Sequence, residues 1–150
     1  MITQFSRTRR FALAAFALFL ASLVFRPQMS QALVVRGDEY VYRGRWAQAL
    51  ERYRRALLIA PSSEIAVDRY VFVSMQLQSH DSLTRAVRLA NGYLSRHPHD
   101  VTVLADRALC FLHERRYALA AADFDRAAAA SHSARYALFA RLSARAAGKR

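Results

Sequence analysis

Apolar residues recur at helical spacing through residues 30–147, in stretches that short polar segments separate. Charged side chains fill the positions between them, as Arg52, Arg54 and Arg55 do within one such stretch. Apolar positions repeated every three or four residues are typical of amphipathic helices. Glycine and proline number only 4 and 3, whereas alanine, leucine and arginine, which favour helices, are abundant. The pattern predicts an all-α chain.

The N-terminal end has a different pattern, a basic segment followed by an apolar run. Residues 1–10 contain Arg7, Arg9 and Arg10 and no acidic residue, and residues 11–25 contain no charge. This layout is typical of a secretory signal or of a signal anchor. A helix over the apolar run would rise about 22 Å, which is short for a bilayer core of about 30 Å. We therefore predict that residues 1–28 are a signal peptide or a signal-anchor transmembrane helix.

Both fates of this segment stay open. Ser30, Gln31 and Ala32 offer small residues at the −3 and −1 positions of a cleavage site, and a cut after Ala32 would release a soluble periplasmic protein. We favour retention, because the cut would fall close to the start of the first predicted helix. The arginines before the apolar run favour the cytoplasmic side. The expected location is a bacterial inner membrane, crossed once, with the C-terminal domain in the periplasm.

A set of residues at fixed spacing marks a first repeated unit over about 30–63. Small, large and turn-forming residues follow in a regular order: Gly37, Tyr40, Gly44, Trp46, Ala49, Tyr53, Ala56 and Pro61. This order resembles the pattern of about 34 residues that defines the tetratricopeptide repeat (TPR) family, in which each unit is two antiparallel helices. The resemblance implies that the small residues lie where the helices cross and the large residues fill the spaces around them.

Further units follow the first one. Residues 101–134 repeat its pattern with Ala108, Phe111, Tyr117, Ala120, Phe124 and Ala127. Residues 64–100 form a degenerate unit that is three residues too long, and we assign the surplus to its first helix, about 63–79, before a turn at 79–82. Residues 133–147 are predicted to be a capping helix, with Leu138, Phe139 and Leu142 on one apolar stripe. The resemblance thus implies a TPR-like α-solenoid of about three helix-turn-helix units with a C-terminal capping helix, preceded by a hydrophobic N-terminal helix.

The net charge of +12 comes almost entirely from arginine. The arginines alternate with apolar residues instead of forming one block, which favours solvated helix faces. Such a charge could also serve nucleic-acid binding, but the export signal and the lack of stacking aromatic residues near the arginines argue against it. We expect no nucleic-acid partner.

No arrangement of residues in the sequence indicates catalysis or metal binding. Cys110 is the single cysteine, which excludes an internal disulfide. His97 and His99 form a pair in a predicted loop, but a metal centre needs further ligands, so we expect neither a metal nor a cofactor. Phosphate-binding loops, nucleophile elbows and zinc-protease motifs are absent from the sequence. We predict that the chain is not an enzyme.

The resemblance also implies where a partner would bind. TPR domains use a concave groove lined by the first helix of each unit. Carried onto this sequence, the groove positions are Val34, Asp38, Tyr42, Phe72, Met75, Asp106, Leu109 and His113. This set is largely apolar and aromatic, which suits an extended or helical peptide. The Lys, Asn and Arg set with which some members hold a peptide C-terminus is not present, so a receptor for chaperone tails is disfavoured.

These observations lead to one hypothesis and a main alternative. The chain is expected to be a non-catalytic protein–protein interaction scaffold at the periplasmic face of the membrane, assisting assembly or maturation of an envelope complex. The alternative is a structural subunit of a membrane complex, with the N-terminal helix packed among other membrane helices. An accessory envelope enzyme is a weaker alternative, since no catalytic motif supports it.

Overall fold

The structure is a computed structural model. It describes the backbone from Ile2 to Gly148 and the side chains of residues 11, 12, 16 and 24–148. Its described residues form helices and no strand, as the sequence predicted. The helices are α1 (Ile2–Tyr42), α2 (Trp46–Ile59), α3 (Glu64–Leu77), α4 (His80–Leu94), α5 (Val101–His113), α6 (Tyr117–Ser131) and α7 (Ala134–Ala147).

Consecutive helices pair as hairpins, and neighbouring hairpins pack against one another. The end of α1 packs on α2, α3 packs on α4, α5 packs on α6, and α7 covers α6. The first helices of the hairpins also meet directly, α1 with α3 and α3 with α5. We call α1, α3 and α5 the inner helices and α2, α4 and α6 the outer helices. Because each hairpin buries its apolar side against the next, the chain is an α-solenoid, and the predicted fold class is confirmed.

The residues of the repeat pattern lie where helices approach closely. A Cβ atom at Gly37 of α1 would lie 2.3 Å from the ring atom Cε1 of Tyr53 on α2, so only glycine fits there. Gly44 has a φ of 66°, a left-handed conformation that glycine adopts without steric cost. The other pattern residues are buried (Ala49, Ala56, Ala108, Phe111, Ala120, Phe124, Ala127), partly buried (Tyr40, Trp46, Tyr117) or exposed in a turn (Pro61).

The middle hairpin differs from its prediction. Ser63 begins α3 by accepting the N–H of Ala66 at 3.3 Å, and the helix ends at Leu77 because Gln78 adopts a left-handed conformation. Residues 80–82, which were predicted to lie in a turn, form the first turn of α4. The predicted lengthening of the first helix is therefore wrong, and the surplus residues lie in the loop between α4 and α5.

That loop, residues 95–100, is held by the side chain of Tyr93. The Tyr93 hydroxyl donates to Asp100 Oδ2 at 2.9 Å, and Asp100 Oδ1 accepts the N–H of Val103 at the start of α5 at 3.0 Å. His97 stacks on the Tyr93 ring with 4.6 Å between ring centroids. These contacts give Tyr93 a structural role at the end of α4.

Arginine side chains fasten the loops between hairpins. Arg96, after α4, donates to Ser62 Oγ at 2.7 Å and to the carbonyl oxygen of Pro61 at 3.0 Å. Arg126 of α6 donates to the carbonyl oxygen of Pro98 at 2.8 Å. Each of these two loops is therefore bonded to the hairpin that follows it.

The capping helix α7 buries a different stripe from the predicted one. Ala140 and Ser143 are buried against the domain, whereas Leu138, Phe139 and Leu142 are 46%, 38% and 54% exposed. Since α7 packs on a single neighbouring helix, only a narrow strip of its surface is covered. The predicted apolar stripe is wrong for Leu138 and Leu142, whereas the Phe139 ring contacts the buried ring of Phe124, with 5.4 Å between centroids. The helix itself lies where it was expected.

The N-terminal segment continues into the first hairpin without a break. Pro27 lies inside α1, so the predicted division near residues 28–30 is not a helix end. Ser30 is buried, and its hydroxyl donates to the carbonyl oxygen of Ala56 on α2 at 3.1 Å. The candidate cleavage sequence therefore lies within a packed part of α1.

The predicted signal or anchor concerns residues 1–28, and most of its side chains lie outside the described residues, namely those of 1–10, 13–15 and 17–23. In the part of the chain that the structure describes, no helix combines the length and the apolar character needed to cross a membrane.

Candidate partner-binding face

The residues predicted to line the groove all lie on the inner helices. Val34 is 4% exposed and belongs to the core, whereas Tyr42, at the end of α1, is 93% exposed. Phe72, Leu109 and His113 are exposed, and Asp38, Met75 and Asp106 are half-buried. All of them except Val34 could be reached by a partner. We call the accessible surface of the three inner helices the inner face.

A row of charged side chains crosses the inner face from α1 to α5. Nε of Arg69 on α3 lies 3.3 Å from Oδ1 of Asp38 on α1. A second nitrogen of Arg69 lies 3.2 Å from Oδ2 of Asp68. The carboxyl group of Asp68 in turn neighbours that of Asp106 on α5. We call Asp38, Arg69, Asp68 and Asp106 the inner-face network.

Asp38, the first member of the network, is also held in place by a side chain of the outer helix α2. The hydroxyl of Tyr53, a fully buried residue of α2, donates to Asp38 Oδ1 at 2.6 Å. Burial, followed by this contact with Asp38, raises the pKa of Tyr53, so the hydroxyl stays a donor. The inner-face network thus rests on the same tyrosine whose ring packs against Gly37.

Asp106 is the least satisfied member of the network. Its Oδ2 atom is buried and has no hydrogen-bond partner. Burial, and after it the negative charge of Asp68 and a hydrogen bond with that carboxyl group, raises the pKa of Asp106 to about 8. An unpaired charge is costly to bury, so the group holds a proton at neutral pH. Asp106 is the most strongly perturbed carboxyl group that the structure describes.

Apolar side chains stand one helical turn beyond the two acidic ones. Phe72 follows Asp68 on α3 and is 40% exposed, and Leu109 follows Asp106 on α5 and is 36% exposed. Residues three or four apart lie on one face of a helix. Phe72 also meets the ring of Trp46 edge to face, with 6.5 Å between centroids. Each of the two helices therefore presents an acidic and an apolar group side by side.

Sequence reasoning missed Asp68 and Arg69. The prediction placed the three surplus residues of the middle unit in its first helix, which shifted the groove positions assigned to that helix. The signal that could have found them is local: Ser63 followed by Glu64 is a helix start. Counting forward from Ser63 places Asp68 and Arg69 on the exposed side of α3.

The other residues considered for chemistry have structural surroundings. Cys110 is fully buried, and burial raises the pKa of its thiol to about 12. His97 stacks on a tyrosine, and His99 is exposed in the same loop. No group of three or more His, Cys, Asp or Glu within the described residues could hold a metal ion.

The two aspartates of α6 have separate surroundings. Asp123 is 4% exposed and accepts two hydrogen bonds from Arg107 of α5, at 2.7 and 2.6 Å. Arg107 also donates to Asn91 Oδ1 of α4 at 2.6 Å. Asp125 is exposed to solvent. The Arg107–Asp123 pair joins three helices and lies apart from the inner-face network.

Comparison with solved structures finds TPR domains with the same fold. The first TPR domain of the human RPAP3 protein is 14% identical, with a TM-score of 0.71 over 82% of this chain and 95% of that one. The first TPR domain of Spaghetti (RPAP3), solved with an HSP90 peptide, is 14% identical, with a TM-score of 0.70 over 81% and 94%. The TPR2B domain of yeast Sti1, in a pHsp70 complex, is 19% identical, with a TM-score of 0.66 over 82% and 99%.

Comparison with sequence families gives the same result. The tetratricopeptide repeat model matches residues 34–66 and 77–135, more than half of the chain. No curated protein matches the chain as a relative. The family match leaves out most of α3, the helix whose positions the sequence analysis assigned wrongly, and nearly all of α7. The chain belongs to the tetratricopeptide repeat family, whose domains are non-catalytic modules for protein–protein interaction.

Proposed function

We propose that the chain holds an extended or helical segment of a partner protein on its inner face. The observation that carries the proposal is the pair of exposed apolar side chains, Phe72 and Leu109, on neighbouring inner helices beside half-buried carboxyl groups. Apolar anchors with a few placed polar groups are what a groove needs to bind a peptide. The similar domains of Spaghetti and yeast Sti1, solved with chaperone peptides, support a peptide as the ligand.

Capture of the partner by crosslinking from solubilised membranes tests this proposal. Replacing Phe72 and Leu109 together by alanine should abolish recovery of the partner, because the apolar anchors are gone. Leu58→Ala is the matched control, since Leu58 is 69% exposed on the outer helix α2. Equal recovery by the double variant and the control would contradict binding on the inner face.

We further propose that the module works as a scaffold at the periplasmic face of a bacterial inner membrane, during assembly or maturation of an envelope complex. Three arginines before the uncharged run of residues 11–25 support this location. Retention of the segment is supported by Ser30, because cleavage after Ala32 would remove its hydrogen bond to Ala56. In this proposal the N-terminal part of α1 tethers the domain to the membrane.

The intact mass of the protein from the membrane fraction tests the tether. The expected mass is that of a chain that retains residues 1–28, in membranes from which an alkaline wash does not remove it. A chain that begins at Leu33 would show that the segment is cleaved. Co-purification of the partner at a constant ratio without crosslinking would instead favour a structural subunit of a membrane complex.

A further inference from the structure

The inner-face network has the opposite sign of charge from the chain as a whole. The chain carries a net charge of +12. The inner-face network, in contrast, contains three carboxyl groups and one guanidinium, that of Arg69. Both Asp38 and Asp68 already share Arg69, at 3.3 and 3.2 Å. Asp106 has no cation of its own, so the α5 side of the network lacks positive charge.

Asp106 has an unused hydrogen-bond acceptor at this place. Its Oδ2 is buried without a partner, and its neighbour across the helices is another carboxyl group. Proteins seldom leave a buried acceptor unpaired, and such groups call for an explanation. A guanidinium or ammonium group of a ligand would take the place of the proton that Asp106 holds and pair with both carboxyl groups.

The surroundings indicate what accompanies that cation. Phe72 and Leu109 stand one turn beyond Asp68 and Asp106 and are partly exposed. A ligand that covers both helices therefore meets an acidic group and an apolar group at each crossing. We propose that the segment bound on the inner face carries a basic side chain that pairs with Asp68 and Asp106 together, with apolar residues on either side that cover Phe72 and Leu109. This inference rests on the proposed function, since it names the chemistry of the ligand on the same face.

Binding of such a cation would be linked to pH. The pKa of Asp106 is about 8, so the free protein holds a proton there that an incoming cation displaces. Asp68 and Glu64 of α3 and Asp100 before α5 act on Asp106 as further negative charges. Cys110, on the same helix, has a pKa of about 12 and stays neutral. An arginine ligand keeps its charge throughout, so its affinity should rise with pH up to about 8 and then level off.

Binding of capped peptides to the full chain, measured by fluorescence polarisation, tests the inference. The probe is a dodecapeptide in which leucine, alanine and arginine alternate, and the matched probes carry glutamine or glutamate in place of arginine. The arginine probe should bind about tenfold more tightly than the glutamine probe, as expected for one added charged hydrogen bond. Its affinity should increase between pH 6 and pH 8.

Two variants separate a specific contact from general attraction. Asp106→Asn should reduce binding of the arginine probe to the level of the glutamine probe and remove the pH dependence. Asp125→Asn makes the same substitution on the exposed side of the outer helix α6 and should leave the affinity unchanged. An equal effect of both variants would overturn the inference, because net charge alone would then explain the binding.

The remaining outcomes separate the inference from the proposed function. Equal affinity for the arginine and glutamine probes, lost in Phe72→Ala, would leave a peptide-binding face and overturn the basic ligand. Tighter binding of the glutamate probe would do the same in favour of an acidic segment. Failure of all three probes to bind would overturn the inference, while the capture experiment with membrane extracts still decides the proposed function.

Discussion

The close contact between α1 and α2 at Gly37 gives the sharpest prediction for stability. Replacing Gly37 by alanine adds a Cβ that would lie 2.3 Å from Cε1 and 2.8 Å from Cδ1 of Tyr53. The Tyr53 ring cannot simply move away, because it is fully buried and its hydroxyl is bonded to Asp38 at 2.6 Å. Overpacking of this kind costs about 1–3 kcal/mol, and the rigid ring places it near 3. Alanine returns about 0.5–1 kcal/mol in helix propensity, so the net loss should be about 2 kcal/mol.

Thermal unfolding of the full chain in mild detergent, followed by circular dichroism, measures this loss. For a chain of this size, 2 kcal/mol corresponds to a fall in Tm of about 4–8 °C. Gly92→Ala is the matched control, because Gly92 also lies inside a helix but an added Cβ there meets nothing within 4 Å. That variant should be stabilised by about 0.5–1 kcal/mol.

A double-mutant cycle decides whether the tyrosine ring is the cause. In a Tyr53→Leu background the ring is absent, so Gly37→Ala should cost much less than it does in the natural sequence. If Gly37→Ala lowers stability equally in both backgrounds, or if it behaves like Gly92→Ala, the close approach of the two helices does not explain the glycine.

Four further predictions follow from features of the described chain. Gly44→Ala places a Cβ at a φ of 66° and should lower the free energy of unfolding by about 1–2 kcal/mol, and an unchanged Tm would contradict this. Asp123→Ala removes both hydrogen bonds from Arg107 to the buried carboxylate and leaves the guanidinium only its bond to Asn91, so it should cost about 3 kcal/mol in urea unfolding, whereas Asp125→Ala, at an exposed position, should change stability little. Cys110 should resist alkylation at pH 8 until the chain unfolds, and rapid labelling of the native protein would show that the thiol is accessible. Because the pKa of Asp106 is raised from 3.8 to about 8, ionisation destabilises the fold: stability should fall as pH rises from about 4 to 8, and in Asp106→Asn this contribution should disappear.

The fold could be predicted because its signals are local and repeated. The spacing between Gly37 and Tyr53 is set by two helices and a short turn, so it appears in the sequence as a pattern. The same holds for Ala108 of α5 and Phe124 of α6 in the last hairpin. The buried side of α7 was not predicted correctly, because an alanine-rich helix that packs on one neighbour needs no strong apolar face. The presence of α7 was therefore predictable, whereas the side of α7 that faces the core was not.

The inner face was predictable only in part. Phe72, Asp106 and Leu109 were assigned to it through the family pattern, and they lie on it. The contact between Asp68 and Asp106 joins residues from two hairpins, and no local pattern contains it. The perturbed carboxyl group at Asp106 arises from that contact and from burial, so it becomes visible only when the hairpins are packed.

The hydrogen bonds from Arg96 and Arg126 to the loops between hairpins determine which segment of the chain could be transferred intact into a related protein. Arg96 bonds to the backbone oxygen of Pro61 and to Ser62, across the whole middle hairpin. A transplant cut at the edges of the sequence repeat would separate the arginine from its acceptors. A segment that begins at Pro61 and ends after Arg96 would carry both halves of the fastening. For chimeras of such chains, the segment to transfer is thus a loop together with the hairpin that follows it in the sequence.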